Sequence, residues 1–142
     1  MNYLGIDYGT KRVGLSVGDD ALRLAVPIGA VRVKAPGDAV SRIREIVNFR
    51  HIHKIIVGYP LNMDDTVGVQ AREVERFMDL LRREIGISVE PVDERLSSEN
   101  VGDLRRRRSI KNRRSLRRKG AIDSAAAALI LQDYFDAQST HQ

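Results

Sequence analysis

A chain of 142 residues fits one globular domain, 1–142, and leaves little room for a second. With 42% hydrophobic and 30% charged residues, a buried core is expected and wholesale disorder is excluded. The absence of cysteine removes disulfides, thiolate zinc sites and cysteine nucleophiles, while a formal charge of +5 directs attention to polyanionic partners.

The first residues, Met1-Asn2-Tyr3-Leu4-Gly5-Ile6-Asp7, carry no basic segment and reach an Asp before any apolar run, unlike a signal peptide. The longest apolar stretch, Ala125–Leu131, is too short for a bilayer, so a cytoplasmic protein with no membrane contact is expected. Two strands are predicted at Tyr3–Tyr8 and Arg12–Val17, joined in hairpin fashion by Gly9-Thr10-Lys11. Leu24–Val33, rich in Val and Ile, predicts a third, and Pro27 favours the sheet edge. Pro36-Gly37-Asp38 marks a helix start, with Val40, Ile43, Ile46 and Val47 at helical spacing to about Arg50. Ile55-Ile56-Val57, within Lys54–Tyr59, has the β-branched character of a buried parallel strand. A helix follows from Thr66 to Ile85, its inward face Val67, Ala71, Val74, Phe77 or Met78, Leu81 and Ile85, stopped by Gly86. Ile87–Val92 predicts another strand, ending at Asp93-Glu94, and Ile122–Phe135 an Ala-rich final helix. The order β-β-β-α-β-α-β-α implies an α/β fold, a mixed five-stranded sheet with helices on both faces.

Between the last strand and helix lies a basic strip: Arg105, Arg106, Arg107, Arg108, Lys111, Arg113, Arg114, Arg117, Arg118 and Lys119, with no acidic residue among them. The rest of the chain is net acidic. A solvated, salt-bridged helix face would need acidic partners that are missing here, so nucleic-acid contact is expected.

Acidic residues stand out in three segments. Strand alternation places Gly5, Asp7 and Gly9 on one face and Leu4, Ile6 and Tyr8 on the other, so the glycines open Asp7's face to a bulky ligand; the plainer reading is a turn Asp before Gly9-Thr10. Asp93 and Glu94 close a parallel strand, where open α/β sheets place ligands, but they also suit the first turn of a helix near Ser97, or a surface pair with Arg95. Asp123 opens the final helix, where an acidic cap is favourable, yet the alanines after it permit close packing that brings it towards Asp7 and Glu94. Three converging carboxylates repel unless hard divalent cations, Mg2+ or Mn2+, neutralise them, and two such ions suit phosphodiester hydrolysis.

The segments Gly5-Ile6-Asp7-Tyr8-Gly9-Thr10-Lys11-Arg12-Val13-Gly14, Val57-Gly58-Tyr59-Pro60-Leu61-Asn62-Met63-Asp64, Asp93-Glu94-Arg95-Leu96-Ser97 and Lys119-Gly120-Ala121-Ile122-Asp123-Ser124-Ala125-Ala126 resemble the YqgF (RuvX) family, in its order and spacing and over nearly the whole chain. The resemblance implies an RNase H-like fold and a cytoplasmic, divalent-metal-dependent nuclease of 5′-end maturation of pre-16S rRNA, or alternatively a Holliday junction resolvase. It also implies an acidic triad of Asp7, Glu94 and Asp123, with Asp93 the competing neighbour, because a shift of one residue exchanges which side chain faces the metals. Tyr59 and Asp65 stand where Leu and Gly are common in the family. On this reading Lys11, Arg12, Arg95 and the Arg105–Lys119 strip bind flanking phosphates of precursor rRNA or branched DNA. Junction cutting would favour a homodimer and trimming a monomer.

Two other classes compete. Asp7-x-Gly9-Thr10 also resembles the phosphate hairpin of actin-like ATPases, which close two such domains around ATP where this chain supplies one. A non-catalytic RNA-binding assembly factor would use the basic strip and leave the carboxylates as caps. His51 and His53 lack a third ligand nearby in sequence, and Ser97 and Ser98 lack a histidine partner.

Overall fold

The computed structural model describes residues 1–9, 11–60, 68–93 and 116–139. Along the chain lie β1 (Asn2–Tyr8), β2 (Arg12–Asp19), β3 (Leu24–Arg32), α1 (Pro36–Arg50), β4 (Ile52–Tyr59), α2 (Val69–Ile85), β5 (Ser88–Asp93) and α3 (Leu116–Ser139). The strands form one sheet in the order β3-β2-β1-β4-β5. β1, β2 and β3 make an antiparallel meander, whereas β4 joins β1, and β5 joins β4, in parallel. Parallel neighbours need a crossover, and α1 and α2 provide them.

Alternation along the strands sorts the core into two layers. Leu4, Ile6, Val13, Leu15, Ile55, Val57 and Val89 pack under α1 and α2. Tyr3, Ile56 and Val92 pack under Ala126, Ile130, Leu131, Tyr134 and Phe135 of α3. β4 is buried on both faces, which accounts for its unbroken Ile55-Ile56-Val57 run. Both Phe77 and Met78 of α2 are buried, so the inward stripe is wider than the expected alternative of one or the other; Val67 lies outside the described residues.

β3 is one of the two sheet edges, as Pro27 implied. The β2–β3 register slips between Leu15↔Gly29 and Ser16↔Pro27, leaving Ile28 extra, and Gly29 takes φ +111° at this bulge. An edge bulge accommodates a residue with no N–H to donate. At the start of α1 the Asp38 carboxylate accepts the N–H groups of Lys34 and Ala35, both at 3.1 Å. α2 stops at Gly86, which turns left-handed and donates its N–H to the Arg82 carbonyl at 3.2 Å.

α3 begins six residues before the expected start at Ile122. Leu116, Arg117, Arg118 and Lys119 are good helix formers but show no apolar period, and Gly120 reads as a break, since an interior glycine costs a helix about 1 kcal/mol relative to alanine. Among the described residues, no helix is long and apolar enough to cross a membrane.

Further along α3, Asp133 is half-buried, and its Oδ2 is sealed from water without a hydrogen bond from the described residues. Burial, reinforced by the charge of Asp136, pushes its carboxyl up to about 6. Between an unfolded value of about 4 and that folded value, the folded state holds the extra proton, so stability falls as pH rises through this window. Asp133→Asn is therefore expected to stabilise the protein at pH 7 by about 1 kcal/mol, well below the full shift because the group is partly solvated. The gain should vanish near pH 4; urea unfolding at the two pH values measures the difference.

Candidate active site

Asp7 occupies the penultimate position of β1 and is 4% exposed. Its register partner on β2 is Gly14. A Cβ on Gly14 would run into the carbonyl group of Asp123 and stand 3.0 Å from the Asp123 Cβ, so α3 is seated on β2 at this glycine. Asp123 is 2% exposed. The two carboxylate residues thus share one face of the sheet, about one strand spacing apart sideways, roughly 5 Å.

This seat is built from small residues at a period of two. Gly14, Ser16 and Gly18 of β2 face α3 together with Gly5 of β1. A Cβ on Gly5 would strike Ser16 Oγ and stand 2.8 Å from Leu131 Cβ and 2.9 Å from the Ala127 carbonyl. A Cβ on Gly18 would stand 2.8 Å from the Phe135 ring. The Ser16 hydroxyl, fully buried, donates to the Ala127 carbonyl at 2.8 Å and pins α3 along its axis. The expectation that Gly5 opens Asp7's face to a ligand is corrected: its space is taken by α3. Gly9 serves the turn, donating its N–H to the Arg12 carbonyl at 3.0 Å.

Asp123 does not open its helix. With α3 starting at Leu116, it lies two turns inside, where no orphan N–H groups await a cap. The capping reading of Asp123 is therefore overturned. Asp93 is separated from the pair by strand parity. It ends β5 opposite Tyr59 of β4, on the side of Val89 and the α1–α2 layer, whereas Val92 packs under α3. The structure thus brings Asp7 and Asp123 together and leaves Asp93 on the opposite face.

Glu94, Arg95, Arg105, Arg106, Arg107, Arg108, Lys111, Arg113 and Arg114 lie outside the described residues, and of Arg117, Arg118 and Lys119 only the helical backbone is described. Lys11 is exposed and Arg12 half-buried at the start of β2. Among the described residues no cluster of three or more potential metal ligands gathers. Asp7 and Asp123 still fit hard divalent cations as a donor set, being all-oxygen and buried side by side on one face. His51 forms the left-handed cap of α1, and His53 Nδ1 accepts the Asn2 N–H at 3.4 Å, so the histidine pair has structural work to do.

The opposite face of the same strand ends carries aromatic groups. The Tyr8 ring stacks on Phe77 with centroids 4.4 Å apart, and burial, with Glu73 nearby, raises its phenol above the usual range. The Tyr59 hydroxyl donates to Glu75 of α2. Sequence reasoning missed the β2 half of the seat, although Gly14-Leu15-Ser16-Val17-Gly18 carries the signal: three small residues on one strand face, where another backbone must come close.

A family model described as "RuvX: Holliday junction resolvase" matches residues 1–137. A protein of Opitutus terrae named "Putative pre-16S rRNA nuclease" is 43% identical over 137 residues, covering 96% of this chain and 92% of its own. One of the same name from Chloroflexus aggregans is 36% identical, covering 95% and 93%. Among solved structures, Thermus thermophilus RuvC in complex with a Holliday junction substrate superposes with a TM-score of 0.60 at 18% identity, over 98% of this chain and 96% of that one. The fowlpox virus Holliday junction resolvase gives 0.52 at 12% identity, over 96% and 99%. Sheet order, helix placement and these neighbours agree on an RNase H-like fold.

Proposed function

The chain belongs to the RuvX family and is a nuclease, and from that premise we propose a divalent-metal-dependent endonuclease that matures the 5′ end of precursor 16S rRNA in the cytoplasm. The observation that carries the reading is the burial of Asp7 and Asp123 on one sheet face, on either side of the Gly14 seat. Strand parity puts Asp93 on the face opposite to Glu90 and Val92, and the family resemblance implies Glu94 as the third carboxylate. Asp7, Glu94 and Asp123 would then hold one or two Mg2+ or Mn2+ ions. Such ions, when bound, polarise the scissile phosphate and lower the cost of deprotonating the attacking water.

The protein's own contribution is position and charge. The Gly14 seat and the Ser16–Ala127 hydrogen bond hold Asp123 beside Asp7, so these two carboxylates are positioned by the fold itself. Lys11, Arg12, Arg95 and the Arg105–Lys119 strip neutralise phosphates on either side of the cut, and affinity should fall steeply with salt.

Resolution of four-way DNA junctions is the second reading, favoured by the description of the matching family model. Purified protein is incubated with a labelled precursor-rRNA fragment bearing a 5′ extension and, separately, with a four-way DNA junction, each with Mg2+ or Mn2+ and with Asp7→Asn alongside. Metal-dependent removal of the RNA extension, absent in the variant, is the expected result. Cutting of the junction alone supports the second reading. Binding of both nucleic acids without cutting of either supports the RNA-binding assembly factor and removes the nuclease reading.

A further inference from the structure

The pair Arg12↔Arg32 stands directly across the β2–β3 ladder. Like charges placed opposite each other on neighbouring strands destabilise a sheet, so this pairing works against the fold. The next pair inward on the same face is Gly14↔Ala30, and Gly14 is the residue on which Asp123 is seated. The two arginines therefore border the α3 seat, on the face that carries Asp7 and Asp123.

Two lysines flank them. The Val33 N–H donates to the Lys11 carbonyl at 2.9 Å, tying the chain beyond β3 to the chain before β2, and exposed Lys34 follows. Asp38, the nearest carboxylate in sequence to Lys34, is occupied by the two backbone N–H groups at the start of α1. Among the described residues none of Lys11, Arg12, Arg32 and Lys34 forms an ion pair, whereas Arg42, Arg44, Lys54, Arg82 and Arg83 elsewhere each have a carboxylate within 4 Å.

We propose that Arg32 and Lys34, with Arg12 and Lys11, form a phosphate-binding track that carries a nucleic-acid strand from the Asp7–Asp123 site across the ends of β2 and β3. This rests on the nuclease reading and extends it, assigning the edge strand to substrate binding and giving the substrate a direction of exit. A phosphodiester strand lying there supplies the negative charge that the Arg12–Arg32 pair lacks, and Arg32 binds its oxygens in a fork where a lysine offers only a point charge.

The test uses the full chain and a fluorescein-labelled single-stranded RNA of mixed sequence, titrated over a range of salt in the absence of divalent metal. Arg32→Ala is expected to weaken binding about 3- to 10-fold at low salt and to make the slope of log affinity against log salt shallower by about one. Arg32→Lys should restore the slope, and Arg42→Ala, on exposed α1, should leave both quantities unchanged. Because the substitution relieves a like-charge pair, the melting temperature of Arg32→Ala should equal or exceed the wild-type value. A wild-type protein that binds with a steep slope, beside an Arg32→Ala variant indistinguishable from it, overturns the track while the nuclease reading stands. A wild-type protein with no affinity for RNA removes the track and the precursor-rRNA reading together.

Discussion

Asp7→Asn is expected to yield a folded protein that binds RNA as the wild type does and cuts it slower by on the order of 10^3-fold, the scale on which removing one group that stabilises transition-state charge acts. Asparagine keeps the shape of the side chain at a position only 4% exposed, so packing under α3 is preserved while one of two neighbouring buried charges is lost. In buffer stripped of metal the variant should melt close to the wild type, since asparagine fills the same buried space. Added Mg2+ or Mn2+ should raise the wild-type melting temperature, because a ligand bound only by the native state adds RT ln(1 + [L]/Kd), about 1.4 to 2.7 kcal/mol between 10 and 100 times Kd. The variant should lose most of that shift. Calorimetry with and without metal gives a reading independent of catalysis. Should Asp7→Asn instead melt far below the wild type while processing RNA at an undiminished rate, Asp7 is a structural residue and the metal site lies elsewhere.

Features governed by local pattern were legible from the chain alone. Ile55-Ile56-Val57 announces a strand buried on both faces because both its neighbouring layers are apolar. Pro27 announces the edge because it cannot donate to a second ladder. The role of Asp123 was open, because its surroundings depend on where α3 begins. The polar turn from Leu116 to Lys119 and the break-like Gly120 conceal that start. The face that Asp93 takes required the pairing of β5 with β4, as one residue of register exchanges the faces. The Arg12–Arg32 juxtaposition was equally hidden: the residues are twenty apart, and a bulge at Ile28 resets the register between them.

Gly14→Ala tests whether the seat of α3, rather than the carboxylates alone, makes the site. The added methyl group would meet the carbonyl carbon and oxygen of Asp123, main-chain atoms of a helix that cannot swing aside as the tip of a side chain can. α3 must lift or slide, and the Ser16–Ala127 hydrogen bond and the close approach at Gly5 are strained with it. Overpacking of this kind costs about 3 kcal/mol, a fall in melting temperature of roughly 10 °C for a chain of this length. Activity should suffer beyond the loss of folded protein. A shift of about 1 Å in a positioned group costs on the order of 10^2-fold, so cleavage measured well below the variant's melting temperature should fall by about that factor. Gly37→Ala is the matched control: it lies in the first turn of α1 with nothing within 4 Å of the new methyl group, and alanine there should stabilise the helix by a few tenths to 1 kcal/mol without touching activity. If Gly14→Ala melts and cuts like Gly37→Ala, α3 does not rest on β2 at this residue, and the positioning of Asp123 beside Asp7 must be rebuilt from another contact.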